Sequence, residues 1–268
     1  MEKLLDEIES YWSTRTEGYS EVNHKELAGT QKNAWLKVLT SQFPDKPKEE
    51  IRILDIGTGP GFFPVILAEA GYHVDAVDYT EGMLEKAKEN AGDLCRNIRF
   101  LRMDAQKLDF EDNTFDVVIS RNLTWNLEHP DVAYREWVRV LKVGGRLLNF
   151  DANWYGYLYE EEQRKAYEND RKNVENNSLD DHYLCTDIER MERIALQVPL
   201  SKISRPQWDV KTLREAGLLG IRTDTEIWKT VWSEEERLNY QSTPMFMVTG
   251  VKPDHFLNLP VAAGEKTE

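Results

Sequence analysis

Two patterns of apolar positions divide the chain. Through the first 45 residues they recur at helical spacing: Leu4, Leu5, Ile8, Tyr11 and Trp12 form one stripe, and a second helical stretch runs from about Lys25 to Phe43. Pro44-Asp45-Lys46-Pro47 ends the helical part. From Ile51 short apolar runs alternate with amphipathic stretches. Strands are predicted at Arg52–Ile56, Val74–Val77, Ile98–Arg102, Phe115–Ser120 and Arg146–Asp151. Helices are predicted at Phe62–Ala70 and Glu81–Ala91, and a third is capped by Asp131, carries Val132, Trp137, Val138 and Leu141, and stops at Gly144-Gly145. Val117, Val118 and Ile119 are contiguous, as in a strand buried on both faces. Such alternation implies right-handed βαβ units and a mostly parallel sheet.

After Asp151 the rhythm breaks. Ala152 to Pro206 holds helical stretches without a strand pattern, and the four aromatics Trp154, Tyr155, Tyr157 and Tyr159 stand within a run of six residues near its start. Asp209 then caps a helix over Val210–Ala216, and strands follow near Ile221–Trp228 and Met245–Val251. The expected organisation is an N-terminal helical lid over 1–45 and one α/β domain over 46–258. A helical cap is inserted at 152–206, and 259–268 forms a flexible tail.

Composition narrows the classes. The 268 residues are 40% hydrophobic and 31% charged, with a formal net charge of −14. This is the balance of a soluble globular protein whose acidic surface repels phosphate backbones, which argues against nucleic acid as a partner. No apolar run approaches the roughly 20 residues that span a bilayer, and Glu2, Asp6 and Glu7 stand where a signal peptide needs basic residues. The cytoplasm is the expected compartment. Cys95 and Cys185 are too few for a disulfide framework, and His182 with Cys185 does not make a metal site, so no metal is expected.

The candidate chemistry starts at Asp55-Ile56-Gly57-Thr58-Gly59-Pro60-Gly61-Phe62, a glycine turn between strand and helix that lets a ligand approach the backbone. Phe62 stands where the dinucleotide fingerprint requires its third small residue, and Asp55 brings a carboxylate that repels a diphosphate and welcomes an ammonium group. Asp78 ends the next strand, where an acid can accept both hydroxyls of a ribose or simply cap the following helix. Asp104, after the third strand, can accept from an exocyclic amine or remain a solvated loop acid.

Together with Phe115–Ser120 and Arg139-Val140-Leu141-Lys142-Val143-Gly144-Gly145, these residues resemble class I S-adenosylmethionine-dependent methyltransferases. The nearest likeness is to the small-molecule branch that includes the ubiquinone and menaquinone C-methyltransferases. The resemblance implies a Rossmann-like, doubly wound seven-stranded sheet of order 3-2-1-4-5-7-6 with its last strand antiparallel. It implies S-adenosyl-L-methionine as the cofactor and a small-molecule acceptor as the partner. Asp55, Gly57, Thr58 and Gly59 would contact the methionine end, and Asp78 would hold the ribose. Tyr79 and Met83 would flank the adenine, Asp104 and Ala105 would meet its edge, and Arg121 would lie beside the sulfonium. Tyr11, Trp12, Arg15 and Tyr19 resemble a lid over the cofactor.

The chain departs from that branch after its fourth strand, where Arg121-Asn122-Leu123-Thr124-Trp125-Asn126-Leu127-Glu128-His129 lacks the usual His pair. No Asn-Pro-Pro-Tyr follows that strand, which argues against methylation of nitrogens in nucleic acid or protein. Trp125, Asn153, Trp154 and Tyr155 are expected to line the acceptor pocket, with His129, Tyr155 and Asp151 as candidate bases. Two rival readings are a non-catalytic module that binds the same cofactor and an NAD-dependent oxidoreductase; Phe62 and Asp55 speak against the second.

Overall fold

The computed structural model describes residues 4–183 and 186–254. Cys185 and the expected tail at 259–268 lie outside these residues. In chain order the helices are α1 (Leu4–Ala28), α2 (Gln31–Thr40), α3 (Phe62–Glu69), α4 (Glu81–Ala91) and α5 (Pro130–Val140), then α6 (Glu161–Asn176), α7 (Ile188–Ala195), α8 (Gln207–Glu215), α9 (Trp228–Val231) and α10 (Glu234–Asn239). The strands are β1 (Arg52–Ile56), β2 (His73–Asp78), β3 (Ile98–Arg102), β4 (Phe115–Arg121), β5 (Leu141–Asp151), β6 (Leu219–Asp224) and β7 (Phe246–Val251).

The strands form one sheet of order β3-β2-β1-β4-β5-β7-β6. β7 runs antiparallel to β5 and β6, and the other neighbours are parallel. Alternation along β1 and β4 assigns side chains to two cores. Ile53, Val117 and Ile119 pack with Trp35, Leu39, Phe63 and Phe150 on one face. Leu54, Ile56 and Val118 pack with Tyr134, Trp137 and Leu213 on the other. Both faces are covered, so the strands can be apolar at every position. Ile56 lies beside Val77 and Ser120, so three strands end in register and the loops after β1, β2 and β4 meet at one edge. Sequential parallel sheets bind ligands at such an edge.

α1 lies across this edge. Its Lys86–Glu17 ion pair (2.9 Å) and an Asn90–Ser20 hydrogen bond (3.2 Å) tie it to α4, and Arg190 donates to Ser10 (2.9 Å) from α7. Among the described residues no helix is long and apolar enough to cross a membrane.

Five boundaries differ from the pattern-based reading. The N-terminal helix runs unbroken to Ala28 and gives way at Gly29-Thr30, so Lys25 belongs to α1. Asp131 is no cap: Pro130 opens α5 and Asp131 pairs with Arg135 one turn on (2.8 Å). Gly144-Gly145 does not stop that helix. Leu141 already pairs with Phe115, and the two glycines fall at a register irregularity inside β5, where a Cβ on Gly145 would sit 2.8 Å from the Lys142 carbonyl oxygen. Asp209 likewise lies inside α8, fully buried against Arg205, and β6 ends at Asp224, leaving Trp228 in α9.

Candidate active site

The cavity at the sheet edge is built by the segments after β1, β2, β3 and β4 and roofed by α1. The glycine turn forms its floor. Gly57 and Thr58 both donate to the Val77 carbonyl (2.8 and 3.0 Å), Gly59 donates to Asp78 Oδ2 (2.9 Å), and Gly61 donates to the Thr58 carbonyl (3.0 Å). Pro60 has no N–H to offer. The turn therefore spends its donors on the protein itself and presents no cradle to a diphosphate. This observation weighs against the dinucleotide reading. Gly57 sits at φ +69°, and a Cβ there would meet Leu123 at 2.7 Å; only glycine lets the segment after β4 seat directly on the turn.

Asp78 stands in the cavity wall with one backbone donor on each oxygen, Gly59 on Oδ2 and Thr80 on Oδ1 (both 2.9 Å). Each oxygen keeps lone pairs for a ligand hydroxyl. Burial raises its pKa against these backbone donors. Tyr79 and Met83 line the same end, Tyr79 under the Arg102 guanidinium at 5.1 Å. Asp104 and Ala105 close it. Asp104 accepts from the backbone and side chain of Gln106 (2.9 and 3.1 Å), and Trp137 fixes the Ala105 carbonyl (2.9 Å).

At the other end Arg121 lines the cavity and forms a bidentate pair with Glu26 of α1 (2.7 and 3.0 Å). The guanidinium is packed against the rings of Phe62, Phe63 and Trp35 at 4.7, 5.1 and 5.3 Å. Burial disfavours its charge, but Glu26 outweighs that and holds Arg121 protonated. Asp55 and Thr58 are buried beneath the turn and do not line the cavity. Burial pushes Asp55 up to about 7, opposed by the Thr58 hydroxyl and Arg121.

Trp12 and Tyr19 of α1 reach the cavity, Tyr19 against Gly59. Trp12 donates from Nε1 to Asn126 Oδ1 at 2.7 Å. Asn126 is 3% exposed and lines the cavity, and its Nδ2 has no hydrogen-bond partner. A buried donor left unpaired costs about 1–3 kcal/mol.

Other expected site residues lie elsewhere. Tyr11 is buried in an aromatic cluster with Trp125, Tyr155, Tyr157 and Tyr183, and Arg15 folds along its own helix over Gly18. Asn153 bonds both backbone groups of Arg205 (3.1 and 3.2 Å), and Trp154 donates to Asp151 (3.1 Å) with its ring edge-on to Tyr240. Trp125, Asn153, Trp154 and Tyr155, expected to line the acceptor pocket, do not contribute to the wall of this cavity. The three expected bases lie outside this cavity's wall as well. His129 precedes α5 on the exposed surface, 3.8 Å from Glu128. Tyr155 is packed on Trp125 at 4.9 Å, and burial holds its phenol well above the ordinary range. Asp151 is tied to Arg205 (2.6 Å) and to the Trp125 and Ala152 backbone N–H groups (2.9 Å each).

Conversely, Glu9, Gln106, Asn126 and Glu128 line the cavity and were not among the expected site residues. Leu5, Ile8, Glu9 and Trp12 recur at three- and four-residue spacing, so the α1 stripe itself pointed to Glu9 as a neighbour of Trp12. Nothing in the residue order singles out the other three.

The model of a methyltransferase domain family matches residues 54–149, from β1 through most of β5. The fold is that of class I methyltransferases, and residues 54–149 are similar in sequence to a methyltransferase domain. The methyl donor of that class is S-adenosylmethionine. The chain is 31% identical over 148 residues to a demethylmenaquinone methyltransferase of Renibacterium salmoninarum, covering 55% of this chain and 60% of the relative. It is 41% identical over 98 residues to the demethylmenaquinone methyltransferase of Clavibacter sepedonicus, covering 36% and 39%. The alignments thus span between 39% and 60% of these relatives' length. A protein of Methanococcus maripaludis assigned as an S-adenosyl-L-methionine-dependent methyltransferase has the same fold, with a TM-score of 0.59 at 20% identity over 91% of this chain and 95% of that one. The family model thus matches residues 54–149, whereas the likeness in fold covers 91% of the chain.

Proposed function

We propose that the chain is an S-adenosylmethionine-dependent methyltransferase that acts on a small-molecule acceptor. One observation carries this reading: the glycine turn, Asp78, Asp104 and the α1 roof converge on a single cavity at the ends of β1, β2 and β4. The donor set fits the cofactor. Asp78 offers acceptors for two ribose hydroxyls, and Asp104 one for an adenine amine. Tyr79, Met83 and Ala105 offer flat or apolar surface for the base, and Gly57 and Gly59 allow the methionine chain to lie on backbone. The aromatic rings of Trp12 and Tyr19 suit a sulfonium. When bound, that sulfonium supplies a methyl carbon already activated for in-line displacement. The chain's own part is then to align donor and acceptor and to exclude water, which α1 does by lying over the cavity. We further propose that 1–45 acts as the lid and that the enzyme works in the cytoplasm.

Calorimetry with S-adenosylhomocysteine tests the reading, with NADH as the control. Micromolar binding of the first and none of the second is expected. Binding of NADH alone overturns it, while cofactor binding without methyl release to any metabolite fraction favours the non-catalytic module.

A further inference from the structure

We infer that Asn126 anchors the methyl acceptor: its Nδ2 donates to an oxygen lone pair (carbonyl, carboxylate or phenolic) on an otherwise apolar molecule. The inference rests on the methyltransferase reading of the same cavity. An asparagine amide can present either end to a neighbour, but an indole N–H only donates. Trp12 Nε1 lies 2.7 Å from the amide oxygen, so the oxygen is committed to α1 and the NH2 group is left as the donor of this wall. That NH2 is buried and unpaired within the protein. Leu123 and Leu127 stand beside it on the same segment and Ile8 faces the cavity from α1, with Asn122 and Glu128 as the segment's other polar groups in the wall. The carboxylates Asp78 and Asp104, which can hold hydroxyls and an amine, stand after β2 and β3, away from this segment in the chain and in the sheet order. A buried, unpaired donor discriminates strongly, because a molecule without an oxygen leaves it unpaired whereas one with an oxygen satisfies it.

The roof and the specificity device are then one object. Trp12 belongs to α1, so the amide is oriented only when α1 lies over the cavity.

Acetophenone and ethylbenzene are matched probes that differ in one carbonyl oxygen. Their dissociation constants would be measured by ligand-observed NMR with the full chain saturated in S-adenosylhomocysteine, alongside calorimetry of S-adenosylhomocysteine itself. Wild type should prefer acetophenone at least fivefold. Asn126→Leu should erase that preference and leave S-adenosylhomocysteine affinity within threefold. Asn126→Asp keeps the acceptor for Trp12 but has no donor, and should weaken acetophenone more than ethylbenzene; it also guards against misfolding of the leucine variant. A wild-type chain with no carbonyl preference, including one that binds neither probe, overturns the inference. So does an Asn126→Leu chain that keeps the preference but loses S-adenosylhomocysteine tenfold, since the amide then serves the cofactor. Failure of wild type to bind S-adenosylhomocysteine counts against the methyltransferase reading instead, and the probe ratio in the unliganded chain still judges the anchor.

Discussion

Replacing Asp78 with Ala probes two roles of one carboxylate. Its oxygens take the Gly59 and Thr80 backbone donors at 2.9 Å, and the same oxygens face the cavity. Hydrogen bonds to a charged group contribute about 1.5–3 kcal/mol, so losing the ribose contacts should weaken S-adenosylhomocysteine by roughly 10- to 150-fold. The ligand-free protein should also lose stability. The Gly59 N–H loses its partner within the turn, and an orphaned buried donor costs about 1–3 kcal/mol. Binding loss and stability loss therefore have separate physical sources, and both should appear in one variant. Calorimetry gives the first and urea unfolding without ligand gives the second. An affinity within threefold of wild type would refute the ribose assignment. An unchanged unfolding midpoint would refute the claim that Asp78 holds the glycine turn in shape.

Three further outcomes are expected. Glu26→Ala leaves Arg121 without its partner and should cost about 3–5 kcal/mol, recovered in part by adding Arg121→Met; equal urea midpoints for the single variant and wild type would contradict this. Asp55, raised by burial to about 7 from the ordinary 3.8, holds a proton in the folded chain that the unfolded chain releases, so its contribution to stability falls as pH rises from about 4 to about 7 and is level above. Asp55→Asn should therefore gain in melting temperature over wild type between pH 5 and pH 8, and a constant difference across that range would rule the assignment out. Tyr155→Phe should leave S-adenosylhomocysteine affinity within threefold and turnover of any acceptor found by labelled-methyl screening above half of wild type, whereas a loss of a hundredfold would restore Tyr155 as a base.

The sheet and the glycine turn were legible because local chemistry dictates them. A strand buried on both faces must be apolar at consecutive positions, and a turn where a Cβ would meet Leu123 at 2.7 Å must be glycine. Such constraints act over a few residues and leave a mark in their order. The acceptor end left none. Asn126 becomes meaningful only through Trp12, 114 positions earlier, and Glu26 only through Arg121, 95 positions later. The aromatic run after β5 misled for the same reason: Trp154 and Tyr155 have the residue types of a pocket, but which side of a segment faces the ligand is decided by packing with Tyr240 and Trp125. Asp209 shows the limit at small scale. Its type and place suggested a helix cap, and the Arg205 guanidinium, four residues back, took both of its oxygens for a buried ion pair.

The insertion nevertheless bears on the cavity it does not line. Asp151, at the end of β5, accepts from the Trp125 backbone N–H at 2.9 Å, and Thr124 donates to Asn149 at 3.1 Å. Both bonds hold the segment that carries Asn126. Arg205, at the far end of the insertion, bonds Asp151 and Asp209 at 2.6 Å, all three fully or almost fully buried. Tyr155 braces the Trp125 ring from behind. A charge pair of this kind contributes little net stability relative to apolar packing, yet removing either partner is costly, so it favours one arrangement over nearby alternatives. The insertion thus acts as a buttress. It fixes the wall after β4 from the side away from the ligand, while α1 fixes it from above through Trp12. A wall held from two sides keeps an unpaired donor in place that a free loop would turn toward water or a backbone carbonyl, and an acceptor arriving there finds the donor already oriented.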